Sequence, residues 1–110
     1  MSEVKTPKDF FEIMLPQRFK PDKAEGIDVT VQVDITGSNG GNWVVIIKNQ
    51  QLKVEEGLYP SPTLELEMTE TDFLDLINGR MSGEKAFLTG KLRFKGNIAL
   101  ALKLRETGFL

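Results

Sequence analysis

The chain has 110 residues, 40% of them hydrophobic, a formal charge of −2, no cysteine and no histidine. That length suits one domain, residues 1–110, around one core; the two missing residue types exclude disulfide frameworks, thiolate nucleophiles, zinc–thiolate sites and the usual neutral-pH general base. The slightly acidic balance argues against a nucleic-acid partner held by an overall basic field.

Met1-Ser2-Glu3 enters a mixed-charge stretch without the apolar segment of a secretory leader, so a cytoplasmic setting is expected. Thr6-Pro7 reads as a helix cap and first-turn pair. Phe10, Phe11, Met14 and Leu15 then supply one apolar face, and Pro16 is expected to end the helix. A connector leads to "GIDVTVQVDITG", where Ile27, Val29, Val31, Val33 and Ile35 alternate with Asp28, Thr30, Gln32, Asp34 and Thr36. That period of two predicts a strand with the polar set facing outward. "GSNGGN" tolerates positive φ but lacks the Lys-Ser/Thr and helix start of a phosphate cradle, so it reads as a hairpin loop.

The second strand sets Trp43, Val45 and Ile47 against Val44, Ile46 and Lys48. Its run from Trp43 to Ile47 is as long as any apolar stretch in the chain and is far too short to cross a bilayer. "KNQQ" turns into a short third strand marked by Leu52 and Val54. After Pro60-Ser61-Pro62, Leu64, Leu66 and Met68 mark a fourth. In "TETDFLDLINGR" the period changes: Phe73, Leu76 and Ile77 share a helix face, with Thr71 or Thr69 as cap and Gly79 as terminator. Asp72, Asp75, Asn78, Gly79 and Glu84 lack the spacing of a calcium loop and are read as helix-end charges and caps, so no metal is expected. A helical turn between Ser82 and Gly90 precedes a fifth strand with Leu92 and Phe94.

Residues 98–104 read two ways. Their apolar period of two predicts a hairpin arm, while Asn97, the alanines and the leucines favour a capped helix that is apolar on more than one side. The order of elements predicts an α+β fold, with helices covering the one apolar face of a sheet. Charge is uneven along the chain. Seven acids and no base lie between Glu55 and Asn78, and six bases with two acids between Glu84 and Glu106. These segments either pair across a solvated face or leave the basic one to meet anionic headgroups.

Three stretches, "NWVVIIKN", "LELEMTETDFLDLINGRMSGEKAF" and "AFLTGKLRFKGNIALALKL", together resemble the sterol carrier protein 2 family, the sterol-binding-domain superfamily of small lipid carriers. The resemblance spans residues 42–104. It implies a five-stranded, mainly antiparallel sheet with helices packed on one face around a hydrophobic tunnel. It also implies a helix at residues 98–104 and broad binding of fatty acids, fatty acyl-CoA and sterol-like lipids. Two positions depart from the family pattern: Thr89 stands where Gln is common near the tunnel mouth, and Ile46 where an outward Asp is common. The C-terminal "TGFL" does not match a peroxisomal address.

The residues expected to line the tunnel are Phe11, Leu15, Trp43, Val45, Phe73, Ile77, Phe87, Leu88, Phe94, Ile98 and Leu102. About 15 methylenes at roughly 0.8 kcal/mol each give on the order of 12 kcal/mol of gross burial. Association costs then leave micromolar to nanomolar binding. No cofactor and no catalysis are expected, since no acids form an evident dyad. The expected partners are a lipid ligand and, in passing, a membrane surface. The chain itself is expected as a monomer or a weak homodimer through Val44 and Ile46. The competing reading is an interaction or dimerisation module whose tunnel is filled by side chains.

Overall fold

The computed structural model describes residues 3–109. Strands β1 (Val29–Thr36), β2 (Gly41–Lys48), β3 (Gln51–Glu56), β4 (Leu64–Thr69) and β5 (Arg93–Lys95) form one sheet in the order β3-β2-β1-β4-β5. β1–β2, β2–β3 and β4–β5 are antiparallel, while β1 and β4 run parallel, so the sheet is mixed. Register sets Trp43, Val33, Leu66 and Phe94 in one row, with Val45, Val31 and Leu64 in the next. Side chains alternate along each strand, so both rows face the same side. The helices cover that side.

Thr6 caps α1 (Pro7–Asp9), accepting from the Asp9 amide. Pro16 does not end this helix. The chain widens into a π-turn (Phe10–Met14), in which Leu15 N–H reaches the Phe10 carbonyl, and continues as α2 (Leu15–Arg18). Proline cannot donate and its ring crowds the turn before it; the wider turn opens that backbone and lets the helix run on. Phe10, Phe11 and Leu15 are wholly buried. Phe11 stacks on Trp43 at 5.1 Å and on Phe73 at 5.5 Å, and Phe10 meets Phe73 edge-on at 5.5 Å. This cluster pins the first helix and α3 (Glu70–Ile77) to the sheet. The N-terminal arm is tied down as well: Val4 N–H donates to Asn78 Oδ1, and Asn78 Nδ2 donates back to the Val4 carbonyl.

α3 is capped by Thr69, and α4 (Gly83–Leu88) by Ser82. The ambiguous segment is a helix, α5 (Ile98–Glu106). Asn97 Oδ1 accepts from Ala99 N at 2.8 Å and Leu100 N at 3.2 Å, which satisfies two of the amides a helix start leaves free.

The outward face differs from expectation. Gln32 is buried: its amide donates to the carbonyls of Trp43 and Gly57, and its oxygen accepts from Tyr59 N–H at 2.7 Å. The link between β3 and β4 therefore crosses this face and covers it. Val44 is buried too and Ile46 only half-exposed, so these two residues do not form an exposed apolar strip for a second copy. The "GSNGGN" loop closes the β1–β2 hairpin, and its Asn39 N–H donates to Glu70 Oε1 at 3.0 Å. A Cβ on Gly40 would lie 2.1 Å from the Ile35 carbonyl oxygen, so only glycine fits that turn. The acidic and basic segments do meet, with Glu67 opposite Arg93 across β4–β5 and their side chains 3.1 Å apart.

Candidate functional site

A cavity of about 170 Å³ opens at the β5 end of the covered sheet face. Leu64, Leu66 and Phe94 form its floor, and Leu76 of α3 and Leu92 its sides. Gly83, Glu84 and Phe87 of α4 face Ile98, Ala101, Leu102, Leu104 and Arg105 of α5 across it, and Phe109 closes one end. The spacing i, i+1, i+4 on α4, and i, i+3, i+4, i+7 for Ile98, Ala101, Leu102 and Arg105 on α5, puts each of these sets on one helix face, with Leu104 at the flank of the second. The lining is almost wholly apolar. Its two charged members, Glu84 and Arg105, pair at 3.5 Å and join the two helices. A lining of this composition suits a hydrocarbon guest.

A second hollow, about 430 Å³ and more open, lies at the β3 end of the same face. Phe11, Pro16, Trp43, Leu52 and Val54 line it, with Glu12 and Glu56 at its polar side. Phe11, which borders this second hollow, stacks on Phe73, which lines neither.

Of the residues expected to line a tunnel, Phe87, Phe94, Ile98 and Leu102 come together in the first cavity. Phe11 and Trp43 border the second hollow. Leu15, Val45 and Phe73 line neither; they are fully buried in solid core. Ile77 is half-buried against that core, and Leu88, at 82% exposed, points to solvent. Thr89 spends its hydroxyl on the Lys85 carbonyl at 2.7 Å, closing the end of α4 rather than facing the cavity.

The sequence reading missed Leu64, Leu66, Leu76, Leu92, Ala101, Leu104 and Phe109. A signal existed for Phe109. It follows Gly108, and an apolar residue after a left-handed helix-terminating glycine commonly folds back onto the helix. Gly108 has φ +96°, and a Cβ there would sit 2.3 Å from the Arg18 carbonyl oxygen. Lys20 N–H donates to the Thr107 carbonyl at 2.7 Å, fixing the same crossing.

A sheet roofed on one face by short helices, with a hydrocarbon-lined cavity between them, is the architecture of a small lipid-binding or lipid-transfer domain. The chain matches the SCP-2 sterol transfer family over residues 11–107 and belongs to that family. It is 38% identical over 77 residues to mouse hydroxysteroid dehydrogenase-like protein 2, covering 68% of this chain and 16% of that protein. It is 35% identical over 84 residues to human sterol carrier protein 2, covering 76% of this chain and 15% of that one. The chain thus spans about a sixth of the curated relatives it matches. The solution NMR structure of palmitated SCP2L2 from Aedes aegypti superposes with a TM-score of 0.73 at 25% identity, covering 96% of this chain and 93% of that one. No helix among the described residues is long and apolar enough to cross a membrane.

Proposed function

We infer that this domain is a non-catalytic lipid carrier that holds the hydrocarbon part of a fatty acid, fatty acyl-CoA or sterol-like molecule between α4, α5 and the β4–β5 end of the sheet. The almost wholly apolar cavity at that place carries the reading. Family membership and the likeness to a palmitated relative support it. Phe87, Phe94, Ile98 and Leu102 are the proposed contacts.

Size limits the reading. An apolar cavity of about 150 Å³ takes up one benzene ring, so a cavity of about 170 Å³ holds roughly six carbons as it stands. At roughly 0.8 kcal/mol per methylene, that segment is worth about 5 kcal/mol gross. A longer chain gains the rest by parting α4 from α5, where Phe87, Ile98 and Leu102 are already half-exposed.

Native mass spectrometry of freshly purified protein, with organic extraction, tests this. Near-stoichiometric lipid is expected. Leu102→Trp, which fills the cavity from its rim, is expected to weaken uptake of a fluorescent fatty acid about tenfold or more while the fold is retained by circular dichroism. An empty protein that takes up no lipid, or a folded Leu102→Trp variant with unchanged affinity, overturns the assignment.

A further inference from the structure

β3 is an end strand of the sheet, and its outer edge is unfinished. Asn49 and Gln50, with φ +53° and +60°, make a two-residue turn between β2 and β3, with Lys48 opposite Gln51. A turn of this kind closes on a pair that exchanges two hydrogen bonds, and such pairs recur at every second residue along the ladder. At the far end Gly57 N–H donates to the Asn42 carbonyl at 2.9 Å, in the same phase. Gln51, Lys53 and Glu55 therefore aim their backbone groups at β2, while Leu52, Val54 and Glu56 aim theirs away from the sheet. Among the described residues none of these outward N–H and carbonyl groups has a partner. A strand edge with free backbone groups is a template for another strand.

The side chains say which strand. Lys53 and Glu55 stand on the solvated face of β3, 69% and 50% exposed, and their charged ends meet at 2.9 Å within the chain. Leu52 and Val54 stand on the other face, half-buried beside the second hollow. An antiparallel copy of β3 whose two-fold axis passes through Val54 keeps the outward groups in phase. Val54 then pairs with its counterpart, and Leu52 with the counterpart of Glu56. That register sets Lys53 opposite the second copy's Glu55, and Glu55 opposite its Lys53. These contacts fall between the hydrogen-bonded pairs, where side chains stand closest. The neighbouring in-phase registers put the axis at Lys53 or at Glu55, and each residue then faces its own like charge. β3 is therefore complementary to itself in one register and repelled in the two beside it.

We propose that β3 pairs with β3 of a second copy across a two-fold axis at Val54, joining two sheets edge to edge. Backbone groups of Leu52, Val54 and Glu56 supply the attraction, and the Lys53–Glu55 contacts fix the register. The pairing leaves the α4–α5 cavity alone, since its lining lies at the other end of the sheet, and it does not rest on the lipid-carrier reading. A contact made by one short strand is small, of the class below about 1,200 Å² whose association is weak. β5, the other end strand, is the less suited occupant. It has three residues, Arg93–Lys95, and a β3–β5 contact is head-to-tail, which adds copies without closing.

Sedimentation velocity of the full chain between about 10 μM and about 1 mM tests it. A mass rising from 12.3 kDa toward twice that value, and no further, is expected. Lys53→Glu alone opposes acids at both contacts, and Glu55→Lys alone opposes bases. Each is expected to weaken the dimer about tenfold or more. Mixed in equal amounts, the two variants complement each other at both contacts, and a heterodimer is expected to form. Amide exchange read by NMR is expected to slow with concentration at Leu52, Val54 and Glu56 and to stay constant at Lys53 and Glu55. The two substituted side chains are exposed and lie outside both the cavity and the hollow, so fold and lipid uptake are expected to stay as they were.

A chain that keeps the monomer mass throughout overturns the pairing. So does a dimer that either variant leaves undiminished, or one that mixing the variants does not restore, since each places the contact elsewhere. Mass that grows past two copies overturns the two-fold axis in favour of a head-to-tail contact. Exchange at Val54 that ignores concentration, in a chain that does dimerise, overturns the strand pairing.

Discussion

Gln32 shows how much one side chain decides. It lies in the polar register of β1, yet its amide serves Trp43, Gly57 and Tyr59 backbone groups at once. Replacing it with leucine keeps the bulk and leaves those groups without partners. At about 1–3 kcal/mol per buried orphan, Gln32→Leu is expected to lower stability by about 2–4 kcal/mol in urea unfolding. A loss below about 0.5 kcal/mol would show that water replaces the amide. The residue scale is also where the sequence was least legible. Strand alternation turned Val45 and Phe94 inward and helical spacing turned Phe73 inward, but inwardness is shared by a packed core and a cavity wall. Phe73 meets Phe11 face to face, whereas Phe94 meets space. That difference depends on which helix arrives above each strand, and no local pattern encodes it.

At the scale of elements, local chemistry spoke clearly where caps are strong. Thr69, Ser82 and Asn97 each begin the helix that follows them. The period of two at residues 98–104 misled because leucines on two sides of a short helix mimic a strand. Ile98, Leu102 and Leu104 all line the cavity, Leu104 from its buried depth and Ile98 with Leu102 from its exposed rim. Asn97→Ala removes the acceptor for two amides and is expected to cost about 1 kcal/mol. Faster hydrogen exchange confined to the first turn of α5 would show it; uniform acceleration through the chain would place the effect elsewhere. Pro16 misled in the opposite direction, since the π-turn that accommodates it has no sequence mark of its own.

For the molecule as a whole, the three-strand meander β1-β2-β3 was legible, but the place of β4 was not. β4 enters beside β1 because the preceding link crosses the outward face, where Gln32 holds it. The ion pairs that decorate the surface are exposed, and such pairs are each worth about 0–1 kcal/mol. Raising salt is therefore expected to leave unfolding stability nearly constant, which a melting-temperature series in sodium chloride checks. The shifted titrations agree. Glu55 holds the Lys53 ammonium above its ordinary range through a hydrogen bond and its charge, and the hydrogen bond that Arg80 donates to Asp75 leads in doing the same for Arg80. A base with a raised folded-state value contributes stability that is complete below its ordinary range and lost only as pH rises through the higher one. These pairs are thus expected to add no slope to the melting temperature between about pH 6 and 9, given ordinary lysine values near 10.4; a slope removed by Lys53→Gln would contradict this.

Trp43 is the sole tryptophan, and its indole N–H is buried without a hydrogen-bond partner beside Phe11 and the second hollow. The protein therefore carries its own optical probe on one side of the aromatic stack. A guest confined to the α4–α5 cavity leaves the emission maximum where it is, because Trp43 does not line that cavity. A chain long enough to displace that stack disturbs the indole directly. A homologous series of fatty acids, added one carbon length at a time, then becomes a ruler, and the length at which the colour of the emission first moves measures the distance from the mouth to the stack.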